Sequence, residues 1–441
     1  MNNILSQLNQ EQLLSVKHIH TPLLIIAGAG SGKTKVITTK IAYLIKECNF
    51  NPKNITAITF TNKSAHEMLE RTNLLLKTAQ IDGKGLTVTT FHSLGLRILK
   101  SECGALNLKS SFSILDSYDT LKIISDISKA HDKPFIKKIQ SQISLWKNQL
   151  LNPQQVLSQV TDGLEKEMAQ IYSSYDATLK AYHAVDFDDL IYLPYMLFNT
   201  NQEVLYKWQQ KIRYLLIDEY QDTNTCQYQL VKLLIMRSKM LSAVGDDDQS
   251  IYAWRGANVT NLENLQTDFK DLTVIKLEQN YRSTTTILNA ANNIIKNNIK
   301  LFNKNLWSKL GTGNQINIIP CKNDEIEANT IISKLNIHNI KNNTKYSNYV
   351  VLYRSNHQAR LIEQALRNHH IPYIISGGQS FFEKAEIKDI TAYLRLIVND
   401  DDDAAFIRSV TTPKRGIGQK AIEKLANYVS VRKISMFAGI F

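Results

Sequence analysis

The residues from Ala27 to Thr34 read Ala-Gly-Ala-Gly-Ser-Gly-Lys-Thr and follow the apolar run Leu23-Leu24-Ile25-Ile26. A buried strand that empties into glycines and then a helix is a phosphate-binding device. The loop Ala27, Gly28, Ala29, Gly30, Ser31, Gly32 lets successive backbone N–H groups turn toward one anion. Lys33 then reaches the β- and γ-phosphates, and the Thr34 hydroxyl suits Mg²⁺. The loop departs from the strict G-x-x-x-x-G-K-[ST] pattern at Ala27, where the first glycine is usual. An ATP site also needs carboxylates at the end of a buried strand. Leu215-Leu216-Ile217-Asp218-Glu219 supplies them, Asp218 to hold Mg²⁺ and Glu219 to orient and deprotonate the attacking water. Arg282, in Gln279-Asn280-Tyr281-Arg282-Ser283, is the candidate second cation for the γ-phosphate. Taken alone, it also reads as half of a structural salt bridge.

The elements that must hold these residues are legible as βαβ grammar, which predicts a parallel sheet with helices on both faces. Strands are predicted at Leu23–Ala27, Ile55–Phe60, Thr87–Phe91, Tyr214–Ile217, Leu241–Val244 and Thr273–Leu277, with a helix from Lys33 to about Cys48. Between about Leu94 and Asn199 strand signals disappear and amphipathic helical periodicity takes over, the pattern of a helical domain inserted into an α/β domain. A second α/β section is predicted from about Asn280, with strands at Gln315–Pro320 and Tyr349–Tyr353, and helices after about Ser380. The acidic run Asp400–Asp403 fits the first turn of a helix over Ala404–Val410 better than a metal site.

The chain has 441 residues, too many for one ordinary domain, and 43% hydrophobic content suffices for several cores. A net charge of +12 points to an anionic partner, nucleic acid first, against the alternative of a merely basic surface. Four cysteines lie far apart with no C-x-x-C pair, which argues against a zinc site or a disulfide framework and fits a cytoplasmic setting. No apolar run approaches the ~20 residues of a membrane span.

Further blocks follow in order: Leu8–Gln12, Thr59–Ala65, Thr90–Ser93, Asp186–Asp189, Asp218–Asp222, Val244–Ala257, Gln279–Ser283, Tyr353–Asn356 and Thr412–Gly418. With them the chain resembles the superfamily 1A DNA helicases of the Rep/UvrD/PcrA group over essentially its whole length. Tyr220 leans toward the Rep branch. The resemblance implies a RecA-like P-loop fold, ATP and Mg²⁺ as cofactors, and single-stranded or fork-like DNA as partner. A second copy or replication-fork proteins are further partners it implies, and no membrane. It gives Gln12 the adenine edge and Tyr281 the adenine ring. Gln249 senses the γ-phosphate and links the ATP cleft to DNA. Lys35 stands where the group usually has Arg, so charge is kept and planar, bidentate contact is lost. A protein that grips any sequence should hold backbone and base faces. Phe60, Tyr252 and Trp254 are the candidate stacking platforms, with core packing as the alternative for Phe60 and Trp254. Thr61, Asn62, His92, Arg255, Arg354 and Asn356 would bind phosphates or orient the aromatics.

Two later motifs of the group, roughly Thr-x-His-x-x-Lys-Gly-Leu-Glu and a second arginine in a Val-x-x-Thr-Arg-Ala context, do not occur after Arg282. The expectation is a C-terminally truncated chain. Residues 1–88 and 200–280 would form a first RecA-like domain with a helical insertion at 89–199. Residues 281–378 would be an incomplete second RecA-like domain, and 379–441 the start of a further helical insertion. Its activity would be that of the N-terminal part of an ATP-dependent 3′→5′ helicase and single-stranded DNA translocase in replication or repair. The alternatives are an ATP- and DNA-binding module without turnover, or half of a split motor completed by a separate chain.

Overall fold

A computed structural model describes residues 2–128, 132–161, 163–376, 384–432 and 434–441. The chain opens with β1 (Leu23–Ala27), β2 (Ile55–Thr59) and β3 (Thr87–Thr90), followed by the short β4 (Ser113–Ile114) and β5 (Ala184–Val185). β6 (Tyr214–Ile217), β7 (Leu241–Gly245), β8 (Thr273–Leu277), β9 (Gln279–Asn280) and β10 (Trp307–Ser308) complete the strands. Six of them form one parallel sheet in the order β3-β2-β6-β7-β1-β8. The residues of β1, β2, β6 and β7 are buried throughout, the mark of a parallel sheet covered on both faces. Because side chains alternate along a strand, Leu24, Ile26, Leu215 and Ile217 enter one core, shared with Leu94, Ile98, Leu230 and Leu234 of the helices on that face. Leu23, Ile25, Ala57 and Leu216 enter the opposite core with Val36, Ile37 and Ile41 of the helix Lys33–Lys46.

Within the stretch read as a helical insertion, Lys133–Asn148 and Gly163–Ala181 pack around Ile139, Ile143, Trp146, Tyr172 and Tyr175. This stretch is not free of strands: β4 and β5 pair in parallel, Ser113 opposite Ala184. Each is two residues long, too short to stand out from helical periodicity. Phe406, Ile422, Ala426 and Val429, from the helices Asp403–Thr411 and Gln419–Arg432, join the same core. Asp402 caps the first of these two helices, its carboxylate accepting from the Ala405 N–H (3.0 Å) and pairing with Arg395 (2.7 Å). The acidic run therefore serves as a helix start.

The described residues fall into two compact units, 1–313 with 392–441, and 314–391. In the second, the helices Asp324–Asn342 and Asn356–Asn368 pack through Ala328, Ile332, Ala365 and Leu366. The strands predicted at Gln315–Pro320 and Tyr349–Tyr353 do not form among the described residues. Ile318 is 91% and Leu352 87% exposed. A β-branched apolar pattern becomes a strand only where a neighbour takes its N–H and C=O groups, and among the described residues no strand pairs with either segment. The boundary expected between 378 and 379, and the start of the helical stretch at Ser380, lie outside the described residues. Among those residues no helix is long and apolar enough to cross a membrane.

Candidate nucleotide and nucleic-acid site

Ligands of open α/β sheets sit at the carboxyl ends of the strands, and both halves of the predicted phosphate site, the loop after β1 and the carboxylates after β6, lie there. Past β1 the backbone turns left-handed at Gly30 (φ +71°) and Gly32 (φ +88°), and Gly32 caps the helix that Lys33 begins. A Cβ at Gly30 would lie 2.6 Å from Asn280 Nδ2, and one at Gly28 would lie 2.3 Å from Leu306 Cδ2. The loop is thus held from outside as well as from within, where Ser31 Oγ donates to the Gly28 carbonyl (2.7 Å). The positive φ at Gly30 and Gly32 favours glycine there.

At the end of β6, Glu219 adopts φ +51°, a conformation that costs a non-glycine residue of order 1 kcal/mol and clusters at functional sites. Its carboxylate meets Lys33 Nζ at 2.8 Å and also accepts from Gln221 Nε2 (2.9 Å). Burial, reinforced by the charge of Glu219, pushes the pKa of Asp218 up to about 6, with Lys33 opposing. The same two causes raise Asp222 to about 6. Thr34, in the first turn of the helix after the loop, and Asp218 are the oxygen donors available to a hard cation.

The structure brings further predicted residues to this loop. Gln12 is buried and donates from Nε2 to the Ser31 carbonyl (2.9 Å). Tyr281 is half exposed, and its backbone N–H donates to the Gly30 carbonyl (2.9 Å). Arg282 is exposed and held through its backbone N–H on Asn280 Oδ1 (2.8 Å). None of the ion pairs among the described residues includes it, contrary to the structural salt-bridge alternative. Lys35 donates to the Gln7 carbonyl (2.8 Å). Gln249 donates to the Asp246 carboxylate. Asn280, whose Nδ2 donates to the Ala29 carbonyl (2.6 Å), ties the Tyr281–Arg282 segment to the loop. Sequence reasoning quoted Asn280 without giving it this role.

A second candidate site is a cavity of about 640 Å³ beside the sheet, lined in part by residues of the helix Lys133–Asn148. Phe60, Thr61, His92, Tyr252, Trp254 and Arg255 all line it. Phe60 and Tyr252 stack with ring centroids 5.0 Å apart and planes 21° apart. The Arg255 guanidinium lies 4.5 Å from the Trp254 ring centroid and 5.3 Å from that of Tyr252. Trp254 is 73% exposed, so core packing does not explain it. Thr61 caps the helix Asn62–Thr78, and Asn62 is exposed at its start. Burial lowers the His92 pKa, and its ring stands edge-on to Phe187 at 6.1 Å. Phe187, 53% exposed in the same cavity, is an aromatic that sequence reasoning left without a role. The signal was there, since it sits inside the Asp186–Asp189 block. Arg354 and Asn356 are exposed residues of the unit 314–391 and are not among the cavity's lining.

Asp186 and Asp188 line the cavity, and behind them the acidic block is pinned by a lysine. Lys147 Nζ lies 2.7 Å from both Asp186 and Asp189, all three buried. Burial works against the lysine's charge, but the two carboxylates outweigh it and raise its pKa. Burial would likewise raise Asp186, yet Lys147 holds it below its usual value. Asp188 is pushed up by burial and by Asp186 to about 6, and Asp189 by the same causes to about 7. Carboxylates there repel phosphate, so the arrangement suits base faces on the aromatics with the backbone directed to Arg255 and solvent.

The UvrD/REP helicase N-terminal domain family matches residues 8–270, and the UvrD-like helicase C-terminal domain family matches residues 275–437. The chain is 48% identical over 438 residues to ATP-dependent DNA helicase Rep of Escherichia coli (strain K12), covering 99% of this chain and 65% of that protein. It is 47% identical over 430 residues to the protein of the same name from Buchnera aphidicola subsp. Baizongia pistaciae, with 97% and 64% covered. Against ATP-dependent DNA helicase PcrA of Staphylococcus aureus (strain NCTC 8325 / PS 47) it is 42% identical over 445 residues, with 100% and 60% covered. The chain thus spans about 65% of the length of the first of these relatives. The expectation of an incomplete second domain finds no support in the match at 275–437. Phosphate loop, carboxylate pair and aromatic cavity lie within a stretch that the first family covers almost entirely, and the chain belongs to the UvrD/Rep helicase family.

Proposed function

We propose that this chain hydrolyses ATP in cycles coupled to its grip on single-stranded DNA, as part of a 3′→5′ DNA helicase acting in replication or repair. One observation carries the reading: the stretch that ends β6 serves both sites. Glu219 pairs with Lys33 at the phosphate loop, while Asp222 and Asn224 line the aromatic cavity. The relatives' names, ATP-dependent DNA helicase Rep and PcrA, support it. Fork-like DNA and a role in fork restart or removal of bound proteins belong to the same proposal, as do the RecA-like domain boundaries given above.

In this reading the glycine loop cradles the phosphates and Lys33 moves from Glu219 to the γ-phosphate. Glu219, freed by that move, takes a proton from the water that attacks the γ-phosphorus as the bond to ADP breaks, and Arg282 adds positive charge beside the γ-phosphate oxygens. Thr34 and Asp218 would hold Mg²⁺, which neutralises charge on the phosphates. Gln12 and Tyr281 hold the adenine, and Gln249 reports the γ-phosphate to the Tyr252–Arg255 turn. Phe60, Tyr252, Trp254 and Phe187 stack on bases.

The deciding experiment is ATP hydrolysis by the purified chain with and without single-stranded DNA. Strong stimulation is expected; nucleotide and DNA binding without stimulated turnover would reduce the protein to a binding module. Lys33→Ala is expected to lower kcat by about 10²–10³-fold, the usual effect of losing one charge-stabilising donor. Steady-state kinetics checks it, and an unchanged rate would rule out the loop. Trp254→Ala is expected to weaken single-stranded DNA binding by about 1–3 kcal/mol. Fluorescence anisotropy measures this, and an unaltered melting temperature separates lost stacking from lost folding.

A further inference from the structure

The sheet, the phosphate loop and the aromatic cavity do not account for Lys304. Its side chain is 3% exposed, and its Nζ lies 2.6 Å from Asp246 and 2.7 Å from Asp248, with Asp247 also paired to it. The carboxylate oxygens of the three aspartates lie within 4.8 Å of one another. Among the described residues Lys304 is the one cation in salt-bridge range of them. Three ionised carboxylates at that spacing repel strongly without a counter-charge. Burial disfavours the lysine's charge, but the aspartates outweigh it and raise its pKa, so it stays ionised.

The position of this ion cluster matters. Asp246 donates its backbone N–H to Gln221 Oε1 (2.9 Å), and Gln221 Nε2 donates to Glu219 (2.9 Å). Gln249 also donates to Asp246. On its far side the aspartate turn runs through Ser250 and Ile251 into Tyr252, the ring stacked on Phe60. Lys304 itself belongs to a strap across the nucleotide loop. The Leu301 and Phe302 N–H groups both donate to Asp247 (3.3 Å each), Leu306 packs on Gly28, and Trp307 pairs with Gln279. The aspartates fall in the N-terminal family match and Lys304 in the C-terminal one.

We propose that Lys304 is a positioning residue that couples the two sites, holding the Asp246–Asp248 turn between Glu219 and the Tyr252–Arg255 turn. The inference rests on the functional reading above, in that it takes both ligands as given. A nucleotide that draws Lys33 from Glu219 loosens Gln221 and with it Asp246. With Lys304 in place the turn shifts as one body and carries Tyr252 with it. Without Lys304 the turn opens by repulsion and the link is broken, while neither ligand loses a direct contact.

The test measures the affinity of a fluorescent oligothymidine with and without saturating Mg²⁺ and a non-hydrolysable ATP analogue. Wild type should show a ratio between the two affinities in the range of about 5- to 150-fold. Lys304→Met should still bind each ligand alone, with the ratio collapsing toward one. Lys304→Arg, which keeps the charge, should recover most of it. Lys304→Met combined with Asp248→Asn, which removes one repelling carboxylate, should recover part of it and guards against poor folding of the single variant. A ratio unchanged in Lys304→Met, absent in wild type, or lost in Lys304→Arg as fully as in Lys304→Met would overturn the assignment. A wild-type chain that binds neither ligand would remove the functional reading itself, and the inference with it.

Discussion

Glu219→Gln is expected to bind nucleotide and DNA but to hydrolyse ATP about 10²–10⁴-fold more slowly, the usual worth of a positioned general base. The amide preserves the shape and the contact with Gln221 but accepts no proton from water. Nucleotide affinity should not fall. Lys33 is paired with Glu219 at 2.8 Å, and a phosphate must compete for that lysine. A neutral partner at 219 removes the competition, so binding holds or tightens while turnover is lost. Single-turnover hydrolysis with a parallel titration of a fluorescent nucleotide reads both quantities. Turnover near wild type would show that another group activates water.

Lys147→Met is expected to cost about 3–5 kcal/mol of stability, the consequence of stranding buried charges by removing their partner. Asp186 and Asp189 each lie 2.7 Å from Lys147 Nζ, and Tyr175 donates to Asp186 at 2.9 Å. The pH dependence has a definite sign. Without the lysine, both carboxyl groups bind protons more tightly in the folded protein than in the unfolded chain. Stability is then lost as pH rises above the unfolded carboxylate range and regained as it falls. The deficit against wild type should therefore be largest near neutral pH and shrink toward pH ~5. Urea midpoints at two pH values decide it. Because the same block aims Phe187 into the cavity, DNA affinity should fall in parallel. A deficit independent of pH would mean the loss is packing and not charge.

The six strands of the sheet were readable because local pattern and tertiary role agree there. Leu23–Ala27 is apolar at every position since both its faces are covered, and the glycines and Lys33 that follow announce a phosphate. Phe60 and Tyr252 were read as platforms for bases, and the structure sets their rings on each other, a pairing of residues far apart in sequence that no local pattern announces. What was missed depends on distant partners. Lys304 is one lysine in an Asn- and Lys-rich stretch, and only the folded chain sets it against three aspartates. The apolar runs at Gln315–Pro320 and Tyr349–Tyr353 have strand composition, but composition does not supply the neighbouring backbone that makes a strand. Arg354 and Asn356 were placed by resemblance alone, and they lie in the other compact unit.

The strand order has a consequence for synthesis. β1 lies between β7 and β8, so Leu23 finds its register partners at Ser242 and Thr273, and the Gly28 N–H donates to the Leu277 carbonyl (3.4 Å). The phosphate loop is therefore synthesised well before the two strands that flank it. At about 5–20 residues per second, tens of seconds separate the two events. Through that interval β1 offers two open edges and an apolar surface, the kind of nascent segment that a chaperone shields.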